Sequence, residues 1–380
     1  MHIIGIVCEY NPFHNGHLYQ INEIKKKYKD SIIIVVTSTS FTQRGHLSIL
    51  NKWDKAKVAL HNNVDLVVEL PYVYSTQSSD IFAHFAIRIL NELKIQTLIF
   101  GSESNNIDNL LLSAKIQLNN TKFDALVKKY LDDGTNYPTA LNNALKDLKC
   151  TPIKTPNDLL AISYIKSILK NNYKINVESI KRTNDYHDIY SNDEISSASN
   201  IRNRILNNID YKKMVPKEVY NILKSKKQND KFFEYLKYKI ISEDNLDNYL
   251  DVDEGLSTRI KDAIKESNSL EELIQNIKTK RYTYNKISRM LNHILCSFTK
   301  KERDLTNKKL EYIRILGFSD EGKKYLNKIK KNIKTPILNK YDTSYNALKI
   351  EKRVSEIYSL IYDDIMEDEI KNKPIKKDEI

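Results

Sequence analysis

Two histidines, three positions apart, follow the first apolar run of the chain. His14 and His17 flank Gly16 in the stretch "EYNPFHNGHLYQ", directly after "IIGIVC". Gly16 lets the backbone approach a ligand closely, and a helix that begins here presents unpaired N–H groups to phosphate. Two imidazoles at this point can donate hydrogen bonds to phosphate oxygens and stabilise a leaving pyrophosphate. This pattern favours phosphate chemistry over metal binding, because no third ligand stands at a recognisable spacing. The alternative that the histidines only cap the helix or pack stays open.

A serine cluster far downstream matches this chemistry. "ISSASNIR" places Ser196, Ser197 and Ser199 at a predicted helix start, with Arg202 one turn later. Hydroxyls, backbone N–H groups and a guanidinium can together hold the β- and γ-phosphates of a nucleotide. Alone, such serines are usually helix caps. Together with the upstream H-x-G-H, they resemble the signature of the nucleotidylyltransferase superfamily, whose fold is shared with class I aminoacyl-tRNA synthetases.

The elements that carry these residues alternate between strand and helix. Buried strands are predicted at "HIIGIVCEY", "SIIIVVTS", "DLVVELP" and "QTLIFGSE", with helices between them. Short aliphatic strands separated by helices indicate a parallel sheet, and ligands bind at the carboxyl ends of its strands. "EYNPFHNGH", "TSTSFTQRG", "ELP" and "GSE" all lie at those ends. We therefore predict an α/β fold with a Rossmann-like parallel sheet.

The remaining chain divides into two regions. A mostly helical stretch from Asn106 to Leu169 leads to a fifth strand at "YKINVESIKR" and then to the serine cluster. Beyond Tyr211 the sequence is Lys-rich and helical, with no further strand signal. We predict a nucleotidylyltransferase-like domain at residues 1–210 and a helical, basic region at residues 211–380.

Composition narrows the class of protein. The net charge of +12 suggests an anionic partner such as nucleic acid, although a general enrichment in Lys, Asn, Ile and Tyr explains it equally well. Three distant cysteines form no disulfide or zinc pattern, and neither a signal peptide nor a membrane-spanning run is visible, so we expect a cytoplasmic protein. The chain lacks GxxxxGK[ST] and GxGxxG, which argues against P-loop and dinucleotide-binding enzymes.

Eight segments in order extend the resemblance. "GIVCEYNPFHNGHLYQ", "SFTQRG", "KWDKAKVAL", "DLVVELP", "FGSE", "TPNDLLAISYIK", "ISSASNIR" and "TKRYTYNKISRML" resemble the tRNA(Met) cytidine acetate ligase family over residues 1 to about 300. The resemblance implies a ligase that uses ATP to convert acetate to acetyl-adenylate, with ATP and acetate activated by residues 1–210 and tRNA bound by residues 211–380. It then implies transfer of the acetyl group to the wobble cytidine of elongator tRNA(Met), which forms N4-acetylcytidine. Magnesium is expected as the counter-ion of ATP, and no protein metal site is predicted.

The resemblance also assigns residues. His14 and His17 are the expected catalytic residues. The expected ATP-binding residues are Val7, Cys8, Glu9, Tyr10, Asn11, Pro12, Phe13, His14, Asn15, Gly16, His17, Leu18, Tyr19, Gln20, Gly101, Asn157, Arg182, Ser197 and Ser199. The expected RNA-binding residues are Lys280, Arg281, Tyr282, Tyr284 and Arg289, in which cations meet phosphates and tyrosines stack on bases.

Several alternatives remain at this point. The stretch "TKRYTYNKISRML" can equally be a helix with a solvated basic face and tyrosines in the core. After "SFTQRG" the chain has His46, Leu47 and Ser48, where the family pattern has an acid and a proline. Two other functions are considered: an adenylyltransferase acting on a small phosphorylated metabolite, and a non-catalytic RNA-binding protein with this fold.

Overall fold

The computed structural model of the 380-residue chain describes residues 1–135, 137–182, 192–226, 231–253, 255–279, 282–362 and 369–380. Strands and helices alternate through the first half, as the apolar runs predict. These elements are β1 (His2–Cys8), α1 (Asn15–Lys27), β2 (Ser31–Ser38), α2 (Lys52–His61), β3 (Leu66–Leu70), α3 (Tyr72–Ser75), α4 (Ser79–Glu92), β4 (Thr97–Ser102), α5 (Ile107–Asn119), α6 (Thr121–Asp132), α7 (Tyr137–Asp147), α8 (Pro156–Lys170) and β5 (Asn176–Lys181).

The second half is mainly helical. Its elements are α9 (Ala198–Leu206), α10 (Lys217–Ser225), α11 (Lys231–Ser242), α12 (Leu256–Glu266), α13 (Leu270–Ile277), α14 (Tyr284–Leu295), α15 (Lys300–Thr306), β6 (Ile313–Phe318), α16 (Asp320–Ile329), β7 (Ile337–Leu338), α17 (Asn346–Tyr362) and β8 (Ile375–Lys376). No helix in the described ranges is long and apolar enough to cross a membrane.

One mixed sheet organises the molecule. Its strand order is β5-β4-β1-β2-β3-β6-β7, and β8 pairs with β6. The five strands from β5 to β3 are parallel, which confirms the predicted α/β sheet. Strand order reverses between β1 and β4, so the crevice for a ligand is expected where those two strands end. Apolar side chains cover both faces of the sheet.

The expectation of no strand beyond Tyr211 is wrong. β6 pairs antiparallel with β3, and the short strands β7 and β8 both join β6. The run "IRILGF" is short and lies in Lys-rich sequence, but β3 would otherwise expose an unpaired edge. One apolar cluster contains both Ile3 of β1 and Ile294 of α14, so the two halves of the chain also share a core. The division into residues 1–210 and 211–380 thus remains a proposal about function, while the two parts share a sheet and a core.

Candidate active site

The turn after β1 is built by reciprocal hydrogen bonds between its histidines and its backbone. His14 is the N-cap of α1, and its Nδ1 accepts from the N–H of Gly16 at 3.0 Å. The Nδ1 of His17 accepts from the N–H of His14 at 3.2 Å. Because both Nδ1 atoms are acceptors, each neutral ring carries its proton on Nε2. Each histidine therefore keeps an Nε2–H donor for a partner other than these backbone groups.

Burial and neighbouring cations keep both rings neutral. Burial, followed by the charges of Arg182 and Arg202, lowers the pKa of His14 to about 3. Burial also lowers the pKa of His17, with smaller contributions from His14 and Arg182. The two ring centroids are 3.8 Å apart. The turn therefore presents hydrogen-bond donors without adding protonated imidazoles beside the arginines.

The serine cluster lies against this turn, as the paired motifs predict. The Nδ2 of Asn15 donates to the carbonyl oxygen of Glu194 at 2.9 Å. Arg202 of α9 donates through Nη1 to the carbonyl oxygen of Asn11 at 2.7 Å and through Nη2 to the Ser199 hydroxyl at 3.2 Å. These bonds join two loops that are more than 170 positions apart in the sequence.

The serines also serve the helix itself. Ser197 caps α9 by accepting from the N–H of Asn200 at 3.1 Å. The Ser196 hydroxyl accepts from the Asn200 side chain at 2.7 Å. The capping alternative is therefore correct for the side chain of Ser197. A role for Ser197 and Ser199 toward phosphate stays a prediction.

A third group of residues lies where β4 and β5 end. Gly101 pairs with Ile180, and the side chain of Arg182 lies across it: a Cβ on Gly101 would be 3.4 Å from Arg182 Cγ. The Nε of Arg182 is 4.0 Å from a carboxylate oxygen of Glu103. Glu103 also accepts from the Asn157 side chain at 2.6 Å, at the start of α8. Gly101, Asn157 and Arg182 are thus neighbours through Glu103.

The site has features of an anion-binding pocket. The Nε of Arg182 is buried and makes no hydrogen bond within the described residues. Burial lowers the pKa of the Arg202 guanidinium, and the charge of Arg44 lowers it further, while Glu9 opposes both effects. Such a concentration of buried cations is costly unless an anion joins it. The donor set therefore fits a nucleotide polyphosphate.

Other residues of the stretch Val7 to Gln20 are buried and pack against the turn. Cys8, Tyr10 and Phe13 belong to the apolar core beneath the sheet face that carries α1. Tyr10 packs edge-on against both Phe13 and His17. Nucleotide contacts by these buried residues stay predictions. Among the described residues, no three His, Cys, Asp or Glu side chains come together to hold a metal ion.

Known proteins with the same sequence pattern identify the family. The profile described as HIGH Nucleotidyl Transferase matches residues 1–373. Proteins named tRNA(Met) cytidine acetate ligase are similar to this chain: one from Clostridium novyi is 39% identical over 99% of each chain, and one from Anoxybacillus flavithermus is 35% identical over 94% of each. The chain belongs to the tRNA(Met) cytidine acetate ligase family. This confirms the resemblance drawn from the eight segments.

Solved structures within this ligase family share the fold. The apo crystal structure of Thermotoga maritima TmcAL has a TM-score of 0.90 to this chain, at 27% identity over 99% of both. The structure of the same protein bound with alpha-thio ATP has a TM-score of 0.86 over the same coverage. An ATP analogue is therefore a ligand of a ligase with this architecture.

The stretch predicted to bind RNA has internal contacts in this member of the ligase family. Tyr282 is buried, and the Tyr284 hydroxyl donates to Glu271 at 2.7 Å. Arg289 donates through Nη1 to the carbonyl oxygen of Gln43 at 3.4 Å. Lys280 and Arg281 lie outside the described residues. RNA binding by these five residues stays a prediction.

Sequence reasoning did not assign Arg44 and Glu103 to the site. Both stand in segments that carry the family resemblance, "SFTQRG" and "FGSE". Burial lowers the pKa of Arg44, as does the charge of Arg182, while the charges of Glu9 and Glu103 raise it. The position of both residues in segments that follow strands was the signal that could have indicated a place in the site. What the sequence could not show was that Arg44 lies near Glu9 and Glu103, and that Glu103 contacts Arg182 and Asn157.

Proposed function

We propose that this protein is an ATP-dependent acetate ligase that acetylates the wobble cytidine of elongator tRNA(Met). The observation that carries the proposal is that the H-x-G-H turn contacts the serine loop and lies near Arg182, whose side chain lies across Gly101. Family membership over the whole chain and the names of its relatives support the same conclusion.

In the first half-reaction, a carboxylate oxygen of acetate attacks the α-phosphorus of ATP. The bond from the α-phosphorus to the bridging oxygen of pyrophosphate breaks, and acetyl-adenylate and pyrophosphate form. The Nε2–H groups of His14 and His17, the N-terminus of α1 and the two guanidiniums of Arg182 and Arg202 supply the donors for the negative charge. Since these groups are held in place before reaction, they need little reorganisation.

In the second half-reaction, the exocyclic N4 of cytidine attacks the acetyl carbonyl carbon. The C–N bond forms, the bond from the acetyl carbon to the AMP oxygen breaks, and one N4 proton passes to solvent. The cytidine must be unstacked to reach the site, and an unpaired anticodon loop allows this at low cost. The basic region at residues 211–380, with its predicted contacts Lys280, Arg281, Tyr282, Tyr284 and Arg289, is proposed to hold the tRNA.

Two further components belong to the proposal. Magnesium accompanies ATP as its counter-ion, and its positive charge adds to that of the arginines. Acetate binds beside the α-phosphate as co-substrate. A cytoplasmic location fits an enzyme that acts on tRNA.

One incubation tests the proposal and separates it from the alternatives. The protein is mixed with ATP, labelled acetate and total tRNA, and the nucleosides of digested tRNA are separated. The proposal expects label in N4-acetylcytidine from tRNA(Met), dependent on ATP and lost in His17→Ala. Pyrophosphate release that needs no acetate would favour an adenylyltransferase acting on a metabolite. RNA binding without ATP turnover would favour a non-catalytic protein.

A further inference from the structure

A hairpin after β2 lies against the loop that precedes His14. We call residues 41–47 the QRG hairpin. Phe41 and Leu47 pair across it, and the N–H of Thr42 donates to the carbonyl oxygen of His46 at 2.9 Å. Gly45 has φ +84°, in the left-handed region that favours glycine. Gln43 and Arg44 therefore form the tip of a tightly closed turn.

The hairpin is attached to the loop that carries the histidines. The N–H of Gln43 donates to the carboxylate of Glu9 at 2.6 Å. The side chain of Asn11 bonds to the C-terminal side of the hairpin and the residues after it, donating to Leu47 O at 3.2 Å and accepting from Ile49 N at 2.9 Å. A shift of the hairpin would therefore move the residues just before His14 with it.

Helix α14 holds the other side of the hairpin. The carbonyl oxygen of Gly45 accepts from Ser288 Oγ at 3.0 Å and from Asn292 Nδ2 at 2.6 Å. A Cβ on Gly45 would be 2.6 Å from the backbone nitrogen of Arg289. The helix backbone thus packs directly on the turn, and two side-chain donors fix its carbonyl group.

Arg44 lies between these two sets of anchors. The N–H of the neighbouring residue Gln43 donates to Glu9, which follows β1. The positive charge of Arg44 lowers the pKa of Arg202. The charge of Glu103, which follows β4, raises the pKa of Arg44, and the charge of Arg182, which follows β5, lowers it. Guanidiniums from three separate segments therefore lie near one another: Arg44 and Arg202 face Glu9, and Arg182 and Arg202 lie close enough to lower the pKa of His14.

We propose that Arg44 binds the phosphates of ATP, and that Asn292 and Ser288 are positioning residues that hold Arg44 there through Gly45. The inference rests on the proposed function and deepens it. Arg44 donates hydrogen bonds to phosphate oxygens as pyrophosphate leaves, and it makes and breaks no covalent bond. Helix α14 belongs to the region predicted to bind tRNA, so that region is also required for acetate activation when no RNA is present.

The test is acetate-dependent exchange of labelled pyrophosphate into ATP, measured without RNA. Arg44→Gln is expected to lower kcat/KM for ATP about 100-fold, because one charged donor to the transition state is lost. Arg44→Lys keeps the charge without the planar fork and is expected to recover part of this loss. Asn292→Ala is expected to lower exchange about 10-fold through misplacement of the hairpin. Asn285→Ala, an exposed asparagine on the same helix, is the matched control and should exchange like the wild type.

A double variant shows whether Asn292 acts through Arg44. If it does, Asn292→Ala adds little to Arg44→Gln, because the two changes remove one interaction. Multiplied losses in the double variant would overturn the positioning role. Thermal unfolding identifies a variant that fails to fold, and Ser288→Ala then replaces Asn292→Ala as the milder change.

Failure of the inference and failure of the proposed function look different. Wild-type protein that exchanges no pyrophosphate with acetate overturns the proposed function. Wild-type exchange that Arg44→Gln leaves intact overturns the role of Arg44 alone.

Discussion

Two clusters of charge lie along the same sheet, and they are built in opposite ways. One is the buried ion cluster of Lys52, Glu69, Arg314, Glu351 and Glu369. The ammonium group of Lys52 is 2.8 Å from Glu69, 3.2 Å from Glu351 and 2.6 Å from Glu369. Arg314 pairs with Glu369, and the Tyr312 hydroxyl donates to Glu69 at 2.7 Å. Within this cluster, cations and carboxylates satisfy one another away from solvent.

The active site brings cations together instead. Arg182 and Arg202 both lower the pKa of His14, and within the part of the chain that the structure describes Arg202 donates to a carbonyl and a hydroxyl. The Nε of Arg182 stands 4.0 Å from Glu103. The difference separates charged residues that stabilise the fold from charged residues that can bind a ligand. A paired cluster joins α2, β3, β6 and α17, whereas neighbouring cations that repel one another are typical of a site that binds an anion.

The largest expected effect is on catalysis. His17→Ala removes an Nε2–H donor from the proposed transition state, and acetate-dependent exchange should fall about 100- to 1,000-fold. His61→Ala, an exposed histidine on α2, is the control and should keep wild-type rates. Full exchange by His17→Ala would remove His17 from the chemistry.

The buried ion cluster should respond in stability rather than in rate. Lys52→Met removes one of the two cations that pair with these three buried carboxylates among the described residues, and the free energy of unfolding should fall by about 3–5 kcal/mol. Urea denaturation measures this loss, with Lys26→Met, at a lysine side chain 79% exposed, as the control. A Lys52→Met protein of wild-type stability would show that the cluster contributes nothing net.

The pH dependence of folding stability tests the role of Glu351 in the buried ion cluster. Burial, together with the neighbouring carboxylates of Glu69 and Glu369, raises the pKa of Glu351 to about 7, from 4.5. The folded state therefore holds a proton that the unfolded state releases, and wild-type stability falls as pH rises from 4.5 to 7. Glu351→Gln removes this group, so its stability relative to wild type should improve by about 2–3 kcal/mol between pH 5 and pH 8. Parallel pH curves for the two proteins would contradict the assignment.

His14 predicts the reverse dependence and a smaller effect. Its pKa is lowered from 6.5 to about 3 in the fold, so the unfolded state binds the extra proton as pH falls. Wild-type stability should decrease from pH 6.5 toward pH 3. His14→Asn keeps an N-cap acceptor and removes this titration, so it should lose about 1–2 kcal/mol less than wild type between pH 7 and pH 5. An equal loss in both proteins would mean that His14 does not titrate as described.

The parts of the site that the sequence revealed are those set by local rules. The H-x-G-H turn was visible because an apolar strand precedes it and a helix follows, and Ser197 was visible as a cap. β6 was missed because its six residues become a strand only beside the exposed edge of β3. Arg44 was missed for a similar reason, because the QRG hairpin is held beside the site by contacts with Glu9 and Asn292. These contacts join residues far apart in the chain, and no local pattern encodes them.

The measurement that tests the central claim most directly follows oxygen from acetate. The protein is given acetate labelled with 18O at both oxygens, together with ATP and tRNA, and AMP is analysed by mass spectrometry. If acetyl-adenylate is formed at the H-x-G-H turn, the AMP released carries one 18O and the acetylated cytidine carries the other. Label in inorganic phosphate or pyrophosphate, with none in AMP, would contradict attack at the α-phosphorus.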